Sequence, residues 1–319
     1  MNYIKMSPIA GFSGFGGGAT ALNFHLGGAG QKWYGDRGLF ASGNGQDQID
    51  YIAIPSTSNG SDFGDITVIR WYFGGLSDGS RGCFGGGGWS GTGNSDVIDY
   101  VTISTTGDAS NFGDLVKSRT SIEGCSDGLR GVWCGGYDAD PTERNEMDYV
   151  TIATTGNAAD FGNIISYRAH CACAADDTRG VIGGGDAGGN GGHLDKIDYI
   201  TIQTTGNSSD FGDLYEARSR AVGCSDLTRA VFMGELTSNG YGNRMDYVTI
   251  QTTGDATNFG TLNGNRGGGG ACSNASRGVI GGCYPDQSID YITIDTASNS
   301  STFGDLDPTR WGAASTAGD

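Results

Sequence analysis

The sequence predicts an all-β protein, a six-bladed β-propeller with four antiparallel strands per blade, on three observations. The first is a repeat. An Asp-Tyr pair, as in Ile98-Asp99-Tyr100-Val101-Thr102-Ile103, recurs at Asp50, Asp99, Asp148, Asp198, Asp246 and Asp290, with a period of 44 to 50 residues that suits a propeller blade. The second is the character of the unit, dense in Gly, Thr, Asn and Asp with short apolar runs, which fits strands joined by tight turns and disfavours helices. The third is the fit of the two ends. The last unit stops at Asp319, short of a second strand, while Asp36-Arg37-Gly38-Leu39-Phe40 reads like Ser80-Arg81-Gly82-Cys83-Phe84. The N-terminal strand is therefore expected to complete the blade begun by the C-terminus, removing an edge otherwise open to pairing with another chain.

The strands follow in order within each unit. In the unit after Arg119, the first strand is expected from Arg119 to Gly124 and the second over Gly131-Val132-Trp133-Cys134, ending at Gly135-Gly136. The third is expected from Met147 to Ile152, and the fourth near Phe161-Gly162-Asn163-Ile164. Each Asp is followed 20 residues later by an arginine (Arg70, Arg119, Arg168, Arg218, Arg266, Arg310), and a second arginine comes 11 residues after that (Arg81, Arg130, Arg179, Arg229, Arg277). Residues 1–36 lie outside the repeat as a Gly- and aromatic-rich arm, with Phe12, Phe15 and Phe24 as its anchoring candidates. Residues 37–319 form the propeller.

A net charge of −17 argues against nucleic acid and against an anionic membrane surface, since both are held by Lys and Arg. Twelve of the fifteen arginines are spent at repeated positions, leaving few for a basic patch. The start carries no apolar run of secretory length, and no span is long enough to cross a membrane, so synthesis in a cytosol is expected. In such a compartment the eight cysteines are expected to be small buried thiols rather than disulfides.

A residue repeated six times is poor evidence for one active centre, so the repeated aspartates and arginines are read as structural pairs within or between blades. Function should lie in the departures. The run from Thr154 to Gly162 holds clustered Asn and Asp oxygens that could serve calcium, but Asn and Asp also make turns unaided, and the turn is preferred. The three histidines, His25, His170 and His193, show no metal-ligand spacing. In His170-Cys171-Ala172-Cys173, strand alternation would point the imidazole away from both thiols. The pattern G-x-S-x-G occurs at Gly75–Gly79 and Gly124–Gly128, but within the repeated strand-and-turn unit and without the helix a nucleophile elbow requires, and no phosphate-loop motif occurs, so no catalytic residue, metal or cofactor is expected.

The connections between second and third strands vary most, and in an up-and-down blade they share one face of the disc. Aromatic and polar groups gather there, and Trp89, Tyr137, Asp138, His193, Tyr241 and Tyr284 are the candidate binding residues, since rings beside polar groups suit sugars and protein partners. Trp71 and Trp311, directly after repeated arginines, are expected to pack.

The unit resembles the kelch family in Val132-Trp133-Cys134-Gly135-Gly136 and Val181-Ile182-Gly183-Gly184, followed by Tyr149 and Tyr199. It departs in carrying Phe161 where a kelch unit would have a Trp soon after its Tyr. The stretch from Ile98-Asp99-Tyr100 through Phe112-Gly113-Asp114-Leu115 to Arg119 is more similar to kelch-like repeats in structural proteins of tailed phages, especially of marine cyanobacteria, over residues 33–319. That resemblance implies a virion component made in the host cytoplasm, in the tail, a fibre or a capsid decoration. Its partners would be other virion proteins and a host-surface glycan. The alternative is a lectin-like or protein-binding propeller with no virion.

Overall fold

The structure, a computed structural model, describes residues 33–89, 93–138, 144–187, 192–308 and 310–319. Phe12, Phe15 and Phe24 lie outside these residues. The described chain forms six four-stranded antiparallel sheets in a ring, a six-bladed β-propeller without helices. Blade 1 combines both ends of the chain. Its inner strand is Ala314–Gly318, its second Arg37–Gly43, its third Gln46–Ala53 and its outer strand Ser61–Asp65. The register pairs Arg37 with Gly318 and Ala41 with Ala314, so the expected exchange between the ends closes the ring. The inner strands of blades 2 to 6 are Gly74–Ser77, Glu123–Ser126, Ala172–Ala175, Val222–Ser225 and Gly270–Ser273.

Two expectations need correction. The first strand of blade 3 begins at Glu123 rather than directly after Arg119, because Thr120 pairs with Tyr137 and Ser121 takes a left-handed backbone (φ 59°) that turns the chain before the inner strand. The connection that carries Tyr241 is not one of the variable loops expected between second and third strands: in blade 5 these strands, Arg229–Thr237 and Gly240–Thr249, run on as one hairpin.

Six apolar clusters, each shared by two neighbouring blades, make the core. Cys171 and Cys173 lie in one of them with Cys125 and Cys134, and all eight cysteines are free and buried. Apolar burial makes the blades adhere, but it is non-directional. Direction comes from four polar devices, each applied to most or all of the six blades.

In the first, the arginine preceding each inner strand reaches the aspartate of the third strand in its own blade. Five pairs are closed by 2.8 to 3.3 Å contacts, and Arg310 meets Asp50 in the sixth. All twelve side chains are buried. Burial strips water from both partners, raising the Asp50 and Asp148 carboxyls and lowering the Arg70, Arg218 and Arg310 guanidinium groups from their ordinary values. In five blades the same aspartate accepts a backbone N–H from the incoming connection, as from Val116 to Asp148. The pair thus fixes how one blade passes to the next.

In the second, the later arginine lies 4.2 to 4.8 Å over the tyrosine of its own blade and donates to a carbonyl of the following blade. The series runs from Arg37 to Ile103, onward through Arg81, Arg130, Arg179 and Arg229, and closes from Arg277 to Ile54. In the third, each tyrosine stands edge-on to the Phe of Phe-Gly. In the fourth, the turn Asn or Asp accepts a backbone N–H from the neighbouring outer strand at 3.0 to 3.1 Å, as Asn157 does from Asp114. Asn157, in the run that suggested calcium, is one of these inter-blade acceptors.

Removing Arg119 leaves Asp148 buried without its counter-charge, a loss of about 3 to 5 kcal/mol. Arg119→Ala is expected to lower the melting temperature clearly, and an unchanged thermal or urea transition would show that the pair does not hold the blade.

Candidate ligand-binding site on the axis

The six inner strands meet around a narrow axis because their residues are small. A Cβ on Gly75 would come within 2.1 Å of the Ser315 carbonyl, and one on Gly223 within 2.2 Å of that of Cys173, so only glycine permits this approach. Ser126, Ser225, Ser273 and Ser315 each donate a 2.7 Å hydrogen bond to the carbonyl of an adjacent inner strand. Between them lies a cavity of about 70 Å³, bordered by all six inner strands and by Trp33. The chain therefore enters the propeller at the axis, on the face that carries the first-to-second-strand turns.

The other end of the axis is closed by backbone. Two residues after each buried arginine the chain turns left-handed, at Tyr72, Ser121, His170, Arg220, Gly268 and Gly312 (φ 53° to 74°). Their amides form a closed circle: Ser121 donates to Tyr72, His170 to Ser121, Arg220 to His170, Gly268 to Arg220, Gly312 to Gly268 and Tyr72 to Gly312, at 2.6 to 3.0 Å. Left-handed backbone is ordinary for Gly268 and Gly312 but costs about 1 kcal/mol or more at the other four. Those four are where the sixfold pattern breaks.

Tyr72 and Arg220 belong to opposite blades and meet across the axis. Arg220 Nη1 donates to the Tyr72 hydroxyl at 2.8 Å and to the Tyr241 hydroxyl at 3.2 Å. The Tyr72 ring lies beside Gly268 and Gly312, whose Cβ positions would stand 3.3 and 3.5 Å from it. Around this bridge the rings form a continuous platform. Trp71 stacks on Trp311 at 5.1 Å, Trp311 meets Tyr72 and Tyr284, and Tyr284 meets Tyr241. On the opposite side His170 stands edge-on to both Tyr72 and Tyr137. The Nδ1–H groups of His170 and His193 donate to the two oxygens of Asp186 at 3.1 and 3.0 Å. Burial pushes the His170 imidazole below its usual value, with Arg220 adding repulsion, against the pull of Asp186. Burial opposes the Asp186 charge too, but the histidine contacts bring its carboxyl below the ordinary range.

Of the sequence candidates, Tyr137, His193, Tyr241 and Tyr284 come together here. Asp138 pairs with Arg144, and Trp89 lies on the short strand Gly88–Trp89 with its side chain outside the described residues. Trp71 and Trp311 do pack, but on each other and at the site. Sequence reasoning missed Tyr72, His170, Asp186 and Arg220 as site residues. The available signal was the position two residues after each repeated arginine, which reads Tyr, Ser, His, Arg, Gly, Gly around the ring.

Just inside the amide circle, Tyr72, His170, Arg220 and Glu123 border a second cavity of about 30 Å³, room for one or two waters. The positions equivalent to Glu123 are Gly74, Ala172, Val222, Gly270 and Ala314. Its carboxyl has no hydrogen-bond partner among the described residues, and burial, with a smaller repulsion from Cys171, raises it well above the ordinary glutamate value.

Fold and site together define a six-bladed β-propeller with one asymmetric, aromatic-rich cluster on its axis. Compared with known proteins, the chain matches no protein-family model and no curated sequence.

Because Glu123 is raised in the folded state, the fold binds a proton that the unfolded chain releases above about pH 4.5. Its contribution is intact below that value and declines as pH rises toward the folded value. Glu123→Gln should therefore gain stability over the native chain progressively as pH rises above about 4.5, read as a widening difference in melting temperature. A difference independent of pH would contradict this.

Proposed function

We propose that the protein is a non-enzymatic binding propeller that engages its partner at the axial aromatic platform and is held at the opposite face through the segment preceding Trp33. The observation that carries this reading is the strained quartet. Tyr72, Ser121, His170 and Arg220 keep side chains where Gly268 and Gly312 show that glycine satisfies the same amide circle. Strain maintained at a surface cluster of rings and polar groups points to recognition. Against catalysis stands the His170–Asp186 pair itself: Nε2, the atom that would have to meet a substrate, is buried and unpartnered.

The resemblance of the repeat to kelch-like phage proteins supports placing this propeller in a virion, as a tail, fibre or decoration component anchored by its arm to other virion proteins, with a host-surface glycan at the platform. Entry of the arm at one end of the axis and the platform at the other suits that arrangement. A free lectin-like propeller is the competing reading, and the arm separates the two. A chain lacking residues 2–31 should fold with an unchanged melting temperature and fail to enter particles, measured by mass spectrometry of purified virions. Incorporation at the native level would overturn the anchoring role.

A further inference from the structure

Three arginines fall outside the two repeated positions. Arg144 is paired with Asp138 and Arg244 with Glu216, but Arg220 has no carboxylate within ion-pair distance among the described residues. Asp186 is committed to two histidines, and Glu235 faces Arg218 and Arg244. Among the described residues both hydrogen bonds of Arg220 leave from Nη1, while its Nε is buried without a partner and Nη2 makes no bond. The Tyr72 and Tyr241 hydroxyls accept from Nη1, so each keeps its own proton to give.

We infer that the axial platform selects a saccharide bearing a single carboxylate, such as a terminal uronic acid. This rests on the binding role proposed above and adds the chemistry of the ligand. The carboxylate accepts from Arg220 Nη2 and from the two tyrosine hydroxyls, in charge-assisted hydrogen bonds that a neutral sugar cannot form as strongly. The apolar face of the sugar ring lies on Tyr284, which is 46% exposed, beside Trp311. A net charge of −17 repels a polyanion, and screening confines the attraction of one guanidinium to about 10 Å. An isolated acid is therefore preferred over a polyuronate or a heavily sulfated chain.

The test is titration calorimetry or NMR with three probes: a disaccharide ending in glucuronic acid, its methyl ester and the neutral disaccharide. The native chain should bind the acid at least about tenfold more tightly than the ester. Arg220→Met should abolish that preference while weak binding of the ester persists. Tyr241→Phe, which keeps the ring, should reduce acid binding several-fold and leave the ester unchanged; it serves as the independent variant if Arg220→Met does not fold. Equal affinity of the native chain for acid and ester, or a preference that survives both variants, overturns the inference while leaving the platform a saccharide site. Failure of all three probes to bind overturns the inference, and saccharide binding unaffected by Tyr284→Ala overturns the platform reading beneath it.

Discussion

A guanidinium buried out of reach of water has to be neutralised where it lies, and this ring buries six of them. Each is met by the aspartate of a third strand, which in five of the six blades also accepts an amide from the connection arriving from the blade before. That double use makes the ion pair a joint as well as a contact. It fixes the last turn of chain before the inner strand, and two residues later the backbone turns left-handed into the amide circle. A buried ion pair adds little net stability over an apolar alternative. What it supplies here is position: the height at which each connection crosses and the direction from which each inner strand starts.

That precision separates the sixfold part of the molecule from the singular part. Arg37 and its equivalents and the turn Asn and Asp residues link each blade to the next six times, and the tyrosine and phenylalanine pairs tie the third strand to the outer strand within each blade. Crowding keeps the inner strands mostly to Gly, Ala, Ser and Cys, with Leu76, Glu123, Val222 and Thr316 as the exceptions. The few side chains released from both demands are those on the variable connections and those beside the amide circle. Side chains can change there without disturbing the joints, and Arg220, which has no carboxylate partner among the described residues, is found there, at the axis.

The same division explains how much could be read from the chain. The propeller was legible because its period, its Asp-to-Arg spacing and its divided first blade are all written in one dimension. Even the exchange of end strands followed from comparing Asp36–Phe40 with Ser80–Phe84. Half of the platform was legible too, through Tyr137, His193, Tyr241 and Tyr284 on the variable connections. Tyr72 and Arg220 were not, because they stand 148 residues apart and share a backbone conformation rather than a residue type. Only Gly268 and Gly312 advertise that conformation in their identity. Strand alternation could not place His170, which stands in a left-handed turn before the inner strand begins at Ala172, and what it meets comes from its own blade through Asp186 and from two others through Tyr72 and Tyr137.

The strand at Arg37–Gly43 has a mechanical consequence. It begins beside Trp33, where the preceding segment joins, and it runs toward the platform face between two antiparallel neighbours, Ala314–Gly318 and Gln46–Ala53. A pull on that segment against a ligand held at the far end of the axis acts along the strand. Both hydrogen-bond ladders are then loaded lengthwise and together, instead of being peeled one rung at a time. Forced unfolding is governed by the rate of rupture, and this geometry makes rupture a collective event. The blade that holds both chain ends is thereby suited to carry tension.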